Sequence, residues 1–156
     1  KMFCTLSPIP GFAAWLDARL EAGDTGRSRA LAQALKAVAA VLGTGVARFT
    51  ADPATAVQRL SPLREPLTRL CATYLLQRAD GGEPALDPVA RFHLDNGARL
   101  ERINWRADTS RKGLRQSLGL MVNYLYEPKA IEGNHEKFVE GEIVAARQVR
   151  SLAVDD

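Results

Sequence analysis

The chain opens on a strand that it has few means to pair. Met2-Phe3-Cys4-Thr5-Leu6 is a short β-type run, and Pro8, Pro10 and Gly11 come directly after it. Proline fixes φ and removes a ladder donor, so neither strand nor helix continues through Ser7-Pro8-Ile9-Pro10. An isolated strand must find partners, and most of the remaining chain is Ala/Leu/Arg helix. The expected class is therefore α+β, mostly helical, with strands at about 2–6 and 98–105. The chain itself reads as the C-terminal part of a longer protein. Ser7 sits at the strand end, where a side chain can project into a cleft, and it is equally a Ser-Pro turn initiator.

Helix signals come next, in order. Phe12, Trp15, Leu16 and Leu20 recur at helical spacing, and that helix stops near Gly23, with Asp24-Thr25-Gly26 as the turn. Ser28 can cap a helix striped by Leu31, Leu35, Val38 and Leu42 and ended by Gly43 and Gly45, with Gly43-Thr44-Gly45 as its C-cap. Asp52-Pro53 is an N-cap with proline at the first helical position, and Ser61-Pro62 repeats the signal. Leu63, Leu67, Leu70 and Tyr74 mark a helix to about Ala79, and Asp80-Gly81-Gly82-Glu83-Pro84 is a loop. These elements form an all-α block.

Residues 91–126 differ in character. They hold His93, Asn96, Asn104, Asn123 and two of the three tyrosines. Asp87-Pro88 opens a short helical turn, PVARFH, and Asp95-Asn96-Gly97 reads as a hairpin-type turn. Period-2 geometry in the next strand puts Leu100, Arg102 and Asn104 on one face and Arg99, Glu101, Ile103 and Trp105 on the other. Ser110 can cap a helix whose stripe is Leu114, Leu118, Met121, Val122 and Leu125, ending at Asn123, Tyr124 and Tyr126. A last helix spans about Ile131 to Leu152, and Asp155-Asp156 is a frayed end.

Chemistry-bearing groups are few. A neutral imidazole at His93, flanked by Phe92 and Leu94, can exchange a proton near pH 7, and can equally be a structural histidine bonded to turn backbone. His135, in a charged helix start, reads as solvated. No spacing of His, Asp, Glu and Cys suits zinc or iron, so no metal is expected. Ser7 is not in a G-x-S-x-G elbow, which argues against an acyl-enzyme hydrolase.

Composition excludes other classes. At 156 residues, 46% hydrophobic and 25% charged, the chain suits one ordinary globular domain. The net charge of +3 is spread along helices, so neither a nucleic-acid nor a membrane partner is expected. No apolar run approaches the ~18 residues of a membrane span. Cys4 and Cys71 read as small buried hydrophobes in a reducing compartment.

Two blocks carry a resemblance. Leu6-Ser7-Pro8-Ile9-Pro10-Gly11-Phe12 is similar to the LSPIPGF segment of the malonyl-CoA decarboxylase family. The run from Phe92 to Tyr126, FHLDNGARLERINWRADTSRKGLRQSLGLMVNYLY, resembles that family's FHL-x-NGA…RINW-x-AD…GLM-x-NY-x-Y stretch. The resemblance implies the C-terminal part of a catalytic domain with a GNAT-like fold, residues 1–156 being one piece of it. An upstream helical domain and the CoA-binding strands would lie outside this chain. It implies a carboxy-lyase that converts malonyl-CoA to acetyl-CoA and CO2 with a Ser/His pair, here Ser7 and His93, and with no cofactor. Tyr126 matches another active-site residue of the family, and Asn104, in the RINW segment, is expected to line the same pocket. A homo-oligomer in the bacterial cytoplasm is expected, and the C-terminus is not a peroxisomal signal. Two other functions are compatible with the residues: an acyl-CoA-dependent acyltransferase of the same fold, and an inactive helical interaction module.

Overall fold

The computed structural model describes residues 1–23, 28–43, 45–77 and 87–154. The expected turn at 24–26, the Thr44 part of the C-cap, the loop at 80–84, the helix end at Ala79 and the frayed residues 155–156 lie outside them. The first strand, β1, is Phe3–Ser7, and it ends where the prolines begin. Five helical segments come next: α1 (Phe12–Glu21), α2 (Arg29–Leu42), α3 (Val46–Phe49), α4 (Pro53–Leu60) and α5 (Arg64–Leu76), with a 3-10 turn at Ser61–Leu63. Ser28 caps α2 as expected, its hydroxyl accepting from Leu31 N at 3.1 Å. The buried stripe Leu31, Leu35, Val38 and Leu42 turns inward, and α2 packs on α5. Ile9, Phe12, Leu16, Leu67 and Leu70 are fully buried where this helical block meets the first strand's exit.

The second half builds the sheet. α6 (Pro88–Asp95) leads into β2 (Arg99–Asn104). Next come α7 (Arg111–Ser117), β3 (Met121–Tyr126), α8 (Ile131–Val139) and α9 (Arg147–Arg150). β3 is the centre of a three-stranded antiparallel sheet in the order β1-β3-β2. The N-terminal strand thus finds its partner 115 or more positions later in the chain, with Phe3 opposite Tyr126 and Ser7 opposite Val122.

The structure corrects several expectations. The helix expected to run from Ser110 to Tyr126 stops at Ser117, and its second half is β3. Leu118 and Gly119 take φ of 54° and 88°, which a right-handed helix cannot contain. Beyond them Val122, Tyr124 and Tyr126 alternate with Met121, Asn123 and Leu125, the period of a strand. The expected last helix is two short ones. The chain turns at Gly141, and residues 144–146 run beside β2 instead, with Leu100 N donating to Val144 O at 3.0 Å and Ala146 N donating to Leu100 O at 2.7 Å.

Asp95-Asn96-Gly97 is not a hairpin turn. It ends α6, with Gly97 N and Ala98 N donating back to Leu94 O and His93 O at 3.1 Å each. The faces of β2 also change. A bulge between Leu100 and Arg102 sets Leu100 opposite Tyr124 but Arg102 opposite Asn123. Leu100 and Ile103 therefore face the core side, while Arg102 and Asn104 face the other. Of the two cysteines, Cys71 is buried and Cys4 is exposed, against the expectation for the latter.

Candidate active site

Three elements bring the candidate residues together. In an antiparallel pair, directly opposed residues share a face of the sheet. Phe3, Thr5 and Ser7 therefore lie on the same face as Tyr126, Tyr124 and Val122. α6 crosses that face with Ala90 and Leu94 buried beneath it and Phe92 exposed. His93, the residue between Phe92 and Leu94, lies flat on Tyr124, ring centroids 4.3 Å apart and planes 21° from parallel.

The polar contacts form a line. Ser7 Oγ is 3.1 Å from His93 Nε2, and His93 Nδ1 is 2.6 Å from the Tyr126 hydroxyl. Thr5 Oγ1 extends the line, 3.1 Å from Ser7 Oγ. Each hydroxyl both donates and accepts, so two proton arrangements satisfy the line. In one, Tyr126 donates to Nδ1 and the Nε2–H donates to Ser7. In the other, Ser7 donates to Nε2 and the Nδ1–H donates to Tyr126.

Burial sets the charge states. Ser7 is 6% exposed. Desolvation lowers the His93 pKa below its ordinary value, so the ring is neutral at pH 7. Burial pushes the Tyr126 phenol up, and that of the fully buried Tyr124 well up, so both stay protonated. The arrangement is a neutral histidine fixed by stacking below, with a hydroxyl on each ring nitrogen.

Asn104 is placed elsewhere. It lies opposite Met121, on the far face of the sheet from Ser7 and His93. Its side-chain amide donates to Asn123 Oδ1 at 2.9 Å, and Asn123 in turn donates to the Thr5 carbonyl at 3.0 Å. Asn104, expected to line the pocket of the Ser/His pair, reaches that face through this indirect link, because the bulge at Glu101 turns the end of β2 over. His135 is exposed, as expected, with Nδ1 2.6 Å from the Asp95 carbonyl oxygen.

Three residues of this region carry no clear mark in the sequence. Thr5 and Tyr124 belong to the site face, and the period-2 alternation of Tyr124 and Tyr126 is the available signal. Asp87 is legible only as a helix cap. It is 1% exposed and accepts four hydrogen bonds, from Val89 N, Ala90 N, Gly11 N and the Tyr74 hydroxyl. Among the described residues no group of three or more His, Cys, Asp or Glu side chains could hold a metal ion, and no helix is long and apolar enough to cross a membrane.

A family model described as the malonyl-CoA decarboxylase C-terminal domain matches residues 1–156. The chain belongs to the malonyl-CoA decarboxylase family. Mitochondrial malonyl-CoA decarboxylase of Rattus norvegicus is 40% identical over 160 residues, which are 96% of this chain and 32% of that protein. The enzyme of Anser anser anser is 36% identical over 169 residues, again 32% of its length. Among solved structures, malonyl-CoA decarboxylase from Rhodopseudomonas palustris aligns over 98% of this chain and 33% of its own, with a TM-score of 0.74 and 47% identity. That from Agrobacterium vitis aligns over 97% of this chain and 35% of its own, with a TM-score of 0.76 and 39% identity. The chain therefore spans about a third of the malonyl-CoA decarboxylases it matches, and the α+β class is shared with them.

Proposed function

We propose that this chain supplies the Ser/His part of a site that decarboxylates malonyl-CoA to acetyl-CoA and CO2. The hydrogen-bonded line Thr5–Ser7–His93–Tyr126, in a chain of this family, supports the reading. Breaking the bond between the α-carbon and the carboxylate releases CO2 and leaves the electron pair delocalised onto the thioester oxygen as an enolate. The thioester is its own electron sink. Donors already aimed at the developing oxyanion lower the barrier, an effect worth about 3–4 kcal/mol per donor in other enzymes.

Ser7 and His93 position the malonyl group and polarise it. In the arrangement with the ring proton on Nε2, His93 then gives that proton to the α-carbon as Nδ1 takes up the proton of the Tyr126 hydroxyl, which solvent replaces, and Tyr126 also holds the imidazole in orientation. Asn104 enters only through Asn123 and the Thr5 backbone. The strands and helix that would hold the CoA pyrophosphate in a GNAT-like domain are assigned to residues outside this chain. A homo-oligomer and a bacterial cytoplasmic setting complete the proposal. The relatives aligned above include both mitochondrial and bacterial enzymes.

The test is Ser7→Ala and His93→Ala in the full-length protein, following acetyl-CoA formation from malonyl-CoA. Each is expected to lower kcat by about 100-fold or more, the range for loss of a positioned acid–base group. Near wild-type kcat in both overturns the assignment.

A further inference from the structure

Ser7 and His93 arrive from segments that the chain separates widely, and a single buried carboxylate joins those segments a second time. Asp87 Oδ2 accepts from Val89 N and Ala90 N at 3.1 Å each, capping the helix that carries His93. Asp87 Oδ1 accepts from Gly11 N at 3.1 Å, four residues beyond Ser7, and from the Tyr74 hydroxyl at 3.0 Å. Each oxygen thus holds one side of the pair.

The linking segments are stiff. From Asp87 to His93 the connection is α-helix, about 9 Å along the axis at 1.5 Å per residue. From Ser7 to Gly11 it contains Pro8 and Pro10, whose rings fix φ, and Ile9, which is fully buried. The contact at Gly11 leaves no space for a larger residue, since a Cβ there would lie 2.1 Å from the Tyr74 hydroxyl oxygen. Tyr74 is itself held by ring contacts to Phe12 and Trp15, at centroid distances of 5.8 and 5.5 Å. Segments 7–11 and 87–93 therefore form a closed ring with two non-covalent closures. One is Asp87 to Gly11, and the other is Ser7 to His93.

We propose that Asp87, with Tyr74 as its brace, is a positioning residue that sets the alignment of Ser7 with His93. This rests on the Ser7–His93 reading above. Asp87 is not itself placed against the reacting atoms. Its effect passes through the two stiff segments, so removing it lets the ring open at one closure and loosens the other. A residue acting only as a helix cap would lower stability without a selective effect on the pair.

A double-mutant cycle separates the two roles. Asp87→Ala, Asp87→Asn, Ser7→Ala and the Asp87→Ala/Ser7→Ala double variant are made in the full-length enzyme. For each, kcat and KM for malonyl-CoA are measured together with the thermal midpoint. Asp87→Ala is expected to lower kcat by about tenfold, equivalent to the loss of one well-placed hydrogen bond, with KM changing by less than about threefold. Asparagine keeps an acceptor for the cap but sets an amide N–H against the Gly11 N–H, so Asp87→Asn opens the same closure and is expected to lose kcat by a factor similar to Asp87→Ala while its thermal midpoint falls less.

In the Ser7→Ala background the alignment no longer matters, and Asp87→Ala is expected to cost less than about threefold in kcat. Equal fold losses in the two backgrounds, or an Asp87→Asn variant with near wild-type kcat, overturn the proposal. If Asp87→Ala does not fold, Tyr74→Phe replaces it in the same cycle. The expectation is then a roughly threefold loss of kcat that vanishes in the Ser7→Ala background, and an equal loss in both overturns the proposal. A Ser7→Ala enzyme with near wild-type kcat sinks the underlying reading instead, an outcome distinct from additivity.

Discussion

Ser7 Oγ lies 3.1 Å from His93 Nε2, although the two residues are 86 positions apart in the chain. Neither belongs to an element that could hold it there alone. Ser7 depends on β1 pairing with β3, and His93 depends on its ring stacking on Tyr124 of the same β3. The pair is thus a product of the central strand, which also contributes Tyr126 to the other ring nitrogen.

Tyr126→Phe tests that third contact. The substitution keeps the ring and removes the hydroxyl 2.6 Å from His93 Nδ1. Losing one hydrogen bond that orients the His93 ring is worth about 1 kcal/mol, so on the proposed function kcat is expected to fall about five- to tenfold with thermal stability nearly unchanged. Steady-state kinetics on malonyl-CoA read this directly, and an unchanged kcat would remove Tyr126 from the site.

The depressed pKa of His93 has a stability consequence of fixed sign. The folded state disfavours the imidazolium, so below the ordinary value near 6.5 the unfolded chain binds the extra proton more readily. Stability is full above that value and falls as pH drops from it toward the folded-state pKa. Thermal midpoints at about pH 7.5 and 5.5 should show a decline in the wild type that is smaller in His93→Gln. Equal declines would mean that His93 is not its source.

Asn104→Ala should separate the two faces of the sheet. It breaks the amide contact to Asn123, at a cost of about 1 kcal/mol in stability. Its effect on kcat is expected to be smaller than that of Tyr126→Phe. A loss as large as that of Ser7→Ala would show that the far face takes part in the reaction.

Gly119→Val probes the junction that makes β3 a strand. A β-branched residue at φ 88° is strained, at a cost of at least about 1–2 kcal/mol. The thermal midpoint should fall, and kcat should fall with it wherever β3 shifts. An unchanged midpoint would show that the left-handed turn at Leu118-Gly119 is not what separates α7 from β3.

Much of the helical half is legible in the sequence because its signals are local. The Ser28 cap, the Asp52-Pro53 start and the stripe of α2 are each readable within a few residues. β3 is not. Leu114, Leu118, Met121, Val122 and Leu125 happen to sit four, three, one and three apart, which imitates a helical stripe, and only the backbone at Leu118 and Gly119 overrides it. Asn104 is misplaced by its sequence for a similar reason, since a bulge has no distinct residue signal in Arg99–Asn104. Ser7, His93 and Tyr126 stand out through family resemblance. Their meeting cannot be read from spacing, because it depends on the pairing of β1 with a strand near the other end of the chain.

The central strand also makes assembly of the site close to all-or-none. Along β3, residues for one surface alternate with residues for the other. Tyr124 and Tyr126 serve the histidine, while Asn123 and Leu125 face away. A slip of one residue in its pairing would present Leu125 where a hydroxyl is required and turn both tyrosines to the back. Mispaired chains would be wholly inert rather than weakly active, so the fraction of molecules able to turn over should track the fraction with native strand register.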